Sequence, residues 1–177
     1  KQVRITPFPF KGYVNLNVVL GGEVNPLYTF DVMEVTVQQE NKESAYTFMM
    51  SYDLRGKTMS VDVPVGTEVA LWDEFHPQLY RIGIGVGDYY YETTFGMREI
   101  KAEGRQLYIN GRPLFLRGTV ENCCFPETGY PPTDEESWTR ILAKVKEYGL
   151  NHVRFHSYCP PEAAFVAEDK LGIYLQP

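Results

Sequence analysis

Residues 114–177 alternate between short apolar segments and helical segments, and this alternation constrains the fold more than any other feature. The predicted strands are Leu114–Val120, Asn151–His156 and Gly172–Leu175, and the predicted helices are Thr133–Tyr148 and Pro161–Lys170. Strands that alternate with helices of this length form parallel sheets joined by helical crossovers. A closed (β/α)₈ barrel needs roughly 250 residues, so we expect the alternation to continue beyond Pro177 in a longer protein.

The first predicted helix has recognisable signals at both ends. Thr133 is its predicted N-cap, with Glu136 three residues later completing a capping box, and Gly149 provides the left-handed exit. Large side chains recur at helical spacing on one face: Trp138, Ile141, Leu142, Val145 and Tyr148. Because burial of each contributes roughly 1.5–3 kcal/mol, we expect this face to cover the sheet.

Residues 1–96 follow a different pattern, with short β-prone segments between turn residues and no helical periodicity. Val14, Leu16 and Val18 alternate with Asn15 and Asn17, which is typical of a strand with one buried face. About seven such strands at regular spacing predict an immunoglobulin-like β-sandwich. They are Val3–Pro7, Tyr13–Leu20, Tyr28–Gln38, Ala45–Tyr52, Thr58–Val63, Leu79–Val86 and Tyr89–Phe95.

The predicted organisation is therefore a sandwich domain over residues 1–98 and the start of a barrel domain over residues 99–177. Between them, Asn110-Gly111 is a strong hairpin signal, because both residues tolerate the positive φ of a type I′ turn. An aromatic cluster around Pro77 allows two interpretations. Trp72 and Tyr80 either close one end of the sandwich or bind a ligand, and large buried aromatic residues favour the first.

Composition excludes several classes of function. The formal net charge of −6 leaves no basic surface for nucleic acid, and no apolar run approaches the roughly 20 residues of a membrane span. Cys123, Cys124 and Cys159 do not have the spacing of a zinc site. We expect three buried or half-buried thiols, with the alternative that Cys159 approaches Cys123 or Cys124 at the strand ends.

Several separated sequence blocks resemble one family, glycoside hydrolase family 2, which includes β-galactosidases, β-glucuronidases and β-mannosidases. The blocks are 71–72 with 77–80 (LW and PQLY), 95–98 (FGMR), 107–113 (LYINGRP), 116–118 (LRG), 151–156 (NHVRFH) and 169–174 (DKLGIY). In that family these blocks end the immunoglobulin-like domain, form the junction and build the first three strands of the barrel. Their order along the chain makes the resemblance specific.

The resemblance implies retaining hydrolysis of O-glycosidic bonds in oligo- or polysaccharides. This reaction needs two carboxylates about 5–5.5 Å apart, a nucleophile and a general acid/base. The family carries these glutamates after later barrel strands, so we expect both catalytic residues beyond residue 177 and no hydrolysis by this chain alone. The resemblance implies a carbohydrate substrate, no cofactor, no metal and, by analogy, a periplasmic or secreted location.

Barrel active sites are built at the carboxyl ends of the strands, and this rule selects the candidate substrate-binding residues. They are Glu121, Asn122, Arg154, His156 and Tyr158. The family often has a histidine where Asn122 stands and an Arg-x-Ser-His-Tyr run where this chain has Arg154-Phe155-His156-Ser157-Tyr158. These departures argue against β-galactosidase specificity. As alternatives, Arg154 is a buried charge braced by carboxylates, and His156 is a structural histidine.

Two other interpretations remain open. Exposed aromatic residues on a sandwich would suit a non-catalytic carbohydrate-binding or interaction module, and the chain could also have no function of its own. If the barrel strands lack neighbours, their unpaired edges and apolar face predict self-association.

Overall fold

The computed structural model describes residues 2–19, 21, 30–53, 58–66 and 68–177. The described chain is mostly β-sheet with two α-helices, in agreement with the sequence pattern. It divides into two compact units. The first comprises Lys1–Leu71 and Gln78–Glu99, and the second comprises Trp72–Pro77 and Ile100–Pro177.

The first unit consists of two antiparallel sheets. Their strands are β1 (Gln2–Phe8), β2 (Tyr13–Val19), β3 (Phe30–Gln39), β4 (Ala45–Asp53), β5 (Thr58–Pro64), β6 (Leu79–Val86) and β7 (Tyr89–Gly96). One sheet has the strand order β1-β2-β5 and the other β4-β3-β6-β7. A short 3₁₀ helix, Pro9–Lys11, connects β1 and β2. The predicted start of the third strand at Tyr28 and the predicted end at Leu20 lie outside the described residues.

The two sheets share one apolar core. On β2 the buried residues are Val14, Leu16 and Val18, and on β3 they are Met33, Val35 and Val37. Because successive side chains of a strand point to opposite faces, the intervening residues face outward. On β2 these outward residues are Asn15 and Asn17, which form hydrogen bonds with Ser60 and Asp62 on β5.

The second unit combines an antiparallel sheet with a parallel one. The antiparallel sheet consists of β8 (Ile100–Glu103), β9 (Gln106–Ile109) and β10 (Arg112–Leu114), in the order β10-β9-β8. The parallel sheet has the order β11-β12-β13 and its helices connect the strands. Its elements are β11 (Gly118–Glu121), α1 (Glu135–Glu147), β12 (His152–Phe155), α2 (Glu162–Leu171) and β13 (Tyr174–Gln176). No helix among the described residues is long and apolar enough to cross a membrane.

The helices cover one face of the parallel sheet. Trp138 and Leu142 of α1 are buried with Val153 and Phe155 of β12, as the helical spacing predicts, whereas the prediction that Tyr148 shares this buried face is wrong, because Tyr148 is exposed at the end of the helix. The indole Nε1 of Trp138 donates a hydrogen bond to the Pro132 carbonyl at 2.7 Å. Apolar burial on this face therefore fixes α1 against β12.

Several predicted boundaries are wrong. Asp134, not Thr133, caps α1, because its carboxylate accepts the Ser137 N–H at 2.8 Å. The predicted strand Leu114–Val120 is divided between β10 and β11. Residues 115–117 between them are held by the Asn151 side chain, which donates to the Phe115 carbonyl and accepts the Arg117 N–H. The predicted hairpin at Asn110-Gly111 is confirmed as β9 and β10, and both turn residues have positive φ. The third strand of this sheet, β8, was missed because it is exposed throughout and has no alternation to detect.

Candidate functional site

The candidate site lies where β11 and β12 end. The two strands pair in parallel with Glu121 opposite Phe155, so their carboxyl ends lie at the same edge of the sheet. The pairing continues one residue further, since the His156 N–H donates to the Glu121 carbonyl oxygen at 2.8 Å. Side chains that follow the two strands are therefore brought to one edge.

The Glu121 carboxylate is the centre of this edge. It accepts hydrogen bonds from the Tyr158 hydroxyl and from the Cys123 amide, the latter at 2.8 Å. Cys123 has a φ of 59°, so the chain turns sharply after β11 and directs this amide back to the carboxylate. Because Glu121 is half-buried and its carboxylate accepts hydrogen bonds from two donors, the orientation of the carboxylate is fixed.

Tyr158 connects this carboxylate to the apolar core. Its ring lies edge-on to Phe155, with centroids 5.4 Å apart and an interplanar angle of 90°. Burial raises the pKa of Tyr158, and the Glu121 carboxylate that accepts its hydrogen bond raises it further. The phenol therefore stays protonated at neutral pH and acts as a hydrogen-bond donor.

The other three predicted site residues are exposed. Arg154 lies on β12 in register with Val120 and Gln176, and it alternates with the buried residues Val153 and Phe155. Within these residues Arg154 is therefore exposed, and no carboxylate of the described part of the chain forms an ion pair with it. Its alternative as a charge braced by carboxylates of the complete barrel stays a prediction.

Asn122 and His156 follow the strands at the same edge. The Asn122 carbonyl accepts a weak hydrogen bond from the Cys124 thiol at 3.6 Å. The His156 side chain is exposed, and this residue contributes its backbone N–H to the strand pairing. Glu121 and Tyr158 are thus the two predicted site residues whose side chains bond to each other.

This arrangement can bind hydroxyl groups, but its strand ends do not present the two carboxylates that retaining hydrolysis needs. Among the three described parallel strands, β11 ends in a carboxylate, β12 ends in Phe155 and β13 in Gln176. Retaining hydrolysis requires a second carboxylate about 5–5.5 Å from the first. The described residues hold no cluster of three or more side chains suited to a metal ion.

The cysteine prediction is wrong in one respect. Cys123, Cys124 and Cys159 are free thiols, but all three are exposed rather than buried. Cys123 and Cys124 belong to the turn after β11, and turns lie at the surface because their backbone groups need solvent.

The segment Trp72–Pro77 belongs to the second unit, which the sequence interpretation missed. Trp72 is fully buried, and its Nε1 donates to the Asp169 carbonyl at 2.7 Å. Its ring also lies edge-on to Tyr174, with centroids 5.6 Å apart. Trp72 therefore does not close the sandwich, whereas Tyr80 does lie in the core of the first unit.

Two acids of this segment bind arginines that follow in the chain. Asp73 pairs with Arg112, and Glu74 pairs with Arg117 at 3.1 Å. The sequence feature that could have indicated these ion pairs is the presence of two acids beside Trp72 and of two arginines later in the chain. Such a signal does not specify which acid meets which arginine.

Comparison with known proteins identifies relatives in sequence. No family model matches the chain. A β-galactosidase of Thermoanaerobacterium thermosulfurigenes is 32% identical over 149 residues, which cover 79% of this chain and 20% of the relative. A β-galactosidase of Lactococcus lactis is 29% identical over 156 residues, covering 82% of this chain and 16% of the relative. The chain thus spans about a fifth or less of the curated relatives that it matches.

Solved structures have a similar fold over nearly the whole chain. A β-glucuronidase of Faecalibacterium prausnitzii superposes with a TM-score of 0.79 at 23% identity, covering 99% of this chain and 27% of that one. A family 2 β-galacturonidase of Eisenbergiella tayi superposes with a TM-score of 0.66 at 21% identity, covering 99% of this chain and 31% of that one. Over most of its length, the chain therefore matches glycoside hydrolase family 2 proteins, and the resemblance predicted from its sequence motifs is confirmed.

Proposed function

We propose that this chain is part of a retaining glycoside hydrolase that acts on O-glycosidic bonds of oligo- or polysaccharides. The sequence relatives are β-galactosidases, and the structures of similar fold include β-glucuronidases. The observation that carries the proposal is the oriented Glu121 carboxylate at the carboxyl edge of the parallel sheet. This is the edge at which barrel enzymes assemble their substrate sites.

The proposed architecture has two parts. Residues 1–98 form an immunoglobulin-like sandwich, supported by three-stranded and four-stranded antiparallel sheets around one core. Residues 99–177 form the first β/α units of a (β/α)₈ barrel. Three parallel strands joined by helical crossovers support this assignment.

The proposed role of the strand-end residues is substrate binding. Glu121 offers acceptor oxygens to sugar hydroxyls, and Tyr158 keeps the carboxylate in place. Arg154, Asn122 and His156 are exposed at or near the same edge and supply donors and acceptors for other hydroxyls. Neither Glu121 nor Tyr158 is assigned a catalytic step, and the two catalytic glutamates are proposed to lie outside these 177 residues.

The first test uses the protein encoded by the whole reading frame that contains this chain. We expect it to release nitrophenol from a nitrophenyl β-galactoside or β-glucuronide, with the β-anomer of the sugar as first product by NMR. The variants Glu121→Gln and Tyr158→Phe should raise KM more than they lower kcat, because they weaken binding. Absence of glycosidase activity, or the α-anomer as first product, would refute the proposal.

The second test uses the 177-residue chain by itself. We predict no hydrolysis of the same nitrophenyl glycosides above a mock preparation purified in parallel. The reason is that its parallel strands present one strand-end carboxylate, Glu121, where the reaction needs two. Activity that follows the chain through purification would contradict this prediction.

A further inference from the structure

The outer face of the four-stranded sheet has a gap in its side-chain cover on β6. Gly83 and Gly85 point to this face, since they alternate with the buried residues Ile82 and Ile84. In the strand register, Gly85 lies opposite Tyr90 on β7 and opposite Glu34 on β3. The neighbouring row places Gly83 opposite Glu92 on β7. The two glycines therefore form the floor of a shallow depression between β3 and β7.

The hydroxyl end of the Tyr90 ring reaches this depression at Gly83. A Cβ atom at Gly83 would overlap the Tyr90 hydroxyl and would lie 3.1 Å from Cζ and 3.2 Å from Cε2. Gly83 is buried, although it belongs to the outer face, whereas Tyr90 is 69% exposed. The hydroxyl end of the ring is therefore packed against Gly83, and most of the ring is open to solvent.

The position of the ring is fixed by its hydroxyl. Tyr90 donates a hydrogen bond to the Glu92 carboxylate at 2.8 Å. An aromatic ring that is held in one position before a ligand arrives loses little side-chain entropy on binding. Tyr90 is therefore preorganised as a stacking surface.

Charged side chains surround this ring. Arg81 lies on the same face of β6, with its Nε 3.8 Å from a Glu92 oxygen and its Nη2 3.9 Å from a Glu40 oxygen. Both distances exceed those of a hydrogen bond, and the Arg81 side chain is half exposed. Three carboxylates, those of Glu34, Glu40 and Glu92, thus accompany one guanidinium, so these four side chains together have a formal charge of −2.

We propose that this surface, the Tyr90 platform (Glu34, Arg81, Gly83, Tyr90 and Glu92), binds a neutral pyranose unit of an oligo- or polysaccharide. The C–H groups on one face of a pyranose are complementary to the electron-rich face of an aromatic ring. The carboxylates accept hydrogen bonds from sugar hydroxyls, and the guanidinium donates to hydroxyl and ring oxygens.

The charge and composition of the surface select this class of ligand. A net negative charge on these four side chains opposes uronic acids, which carry their own carboxylate. The core of a protein–protein interface is depleted of charged residues, whereas the Tyr90 platform has one aromatic ring surrounded by ionised groups. The platform belongs to the first unit and requires no hydrolysis, so it does not depend on the proposed function.

The test is affinity electrophoresis of the 177-residue chain in native gels that contain β-1,4-galactan, arabinoxylan, mixed-linkage β-glucan or polygalacturonate. We expect retardation by at least one neutral polysaccharide and none by polygalacturonate. Titration with a hexasaccharide of the retarding polymer should then give a Kd. Tyr90→Ala should raise that Kd by about tenfold or more, as truncation of an aromatic anchor does.

Two further variants separate the platform from general effects. Gly83→Ala keeps Tyr90 but places a methyl group against its hydroxyl, which must move the ring, so this variant should also weaken binding. Tyr148→Ala removes an equally exposed tyrosine, 77% accessible, from the end of α1 and should leave the Kd unchanged. Circular dichroism would check folding, and Gly83→Ala provides the test if Tyr90→Ala does not fold.

The proposal is overturned if no neutral polysaccharide retards the chain or if polygalacturonate alone does. It is also overturned if Tyr90→Ala and Gly83→Ala both bind as the unaltered chain does. Retardation that disappears with Glu121→Ala and persists with Tyr90→Ala would instead assign binding to the strand ends of the second unit.

Discussion

Asp73 and Glu74 are buried acids, and each depends on specific partners within the second unit. Asp73 accepts the N–H groups of Phe75 and His76 at 2.9 and 2.8 Å and pairs with Arg112. Burial by itself would raise the pKa of Asp73, but these two amides and the Arg112 guanidinium outweigh it and lower the pKa. Asp73 is therefore held as a carboxylate, which agrees with the general need of buried charges for partners.

Glu74 is the residue whose loss we expect to cost the most stability in this segment. Glu74 is 8% exposed, and its carboxylate bonds to Arg117 and to the buried amide of Asn151. Glu74→Ala leaves the Asn151 amide without one acceptor, so the free energy of unfolding should fall by about 1–3 kcal/mol. Urea denaturation followed by circular dichroism measures this change.

The matched control is Glu147→Ala, which removes an exposed acid from the ion pair with Lys144. An exposed pair contributes about 0–1 kcal/mol, so this variant should be nearly as stable as the unaltered chain. Equal losses for the two variants would show that the Glu74 contacts do not stabilise the second unit.

At the scale of the elements, β12 is the central strand of the parallel sheet and begins with His152. A Cβ atom at Gly118 on β11 would overlap the His152 ring, so the glycine makes room for it. Burial lowers the pKa of His152 below its ordinary value of 6.5, although a hydrogen bond with Gln176 partly offsets this effect. The packing of β11 and β12 therefore favours the neutral imidazole.

This lowered pKa predicts how stability depends on pH. Between the pKa of His152 in the folded chain and 6.5, the unfolded chain binds more protons, so the free energy of unfolding decreases as pH falls. We predict a decrease from about pH 7.5 to about pH 5.5 that is smaller in His152→Gln. The exposed His156 provides the control, since His156→Gln should retain the original dependence. An unchanged pH dependence in His152→Gln would refute this account.

At the scale of the whole molecule, the sequence predicts the features that depend on local periodicity and misses contacts between residues that are far apart in the chain. Alternation in β2 correctly predicted its buried side chains, and helical spacing in α1 did so for Trp138 and Leu142, because these patterns depend on neighbours in sequence. The same spacing wrongly included Tyr148, which is exposed at the end of the helix. The contact between Trp72 and Asp169 joins residues 97 positions apart, and no local pattern carries that information. The Glu121–Tyr158 bond was missed for the same reason, although the barrel rule placed both residues at one edge.

The parallel sheet also predicts how copies of the chain interact. Among the described strands, β11 and β13 pair on one side only, and Val120 on β11 is 53% exposed. Unpaired strand edges and exposed apolar side chains promote association, so we predict that the chain self-associates through the second unit. Light scattering should give a mass that increases with protein concentration.

A charge on this edge should oppose association, because a lysine there is costly to bury between two strands. Val120→Lys is therefore expected to shift the mass towards the monomer. Val32→Lys is the matched control, since Val32 is similarly exposed but lies on β3, which pairs on both sides. A constant monomer mass over a wide concentration range would contradict self-association. An equal effect of the two variants would show that association does not involve the β11 edge.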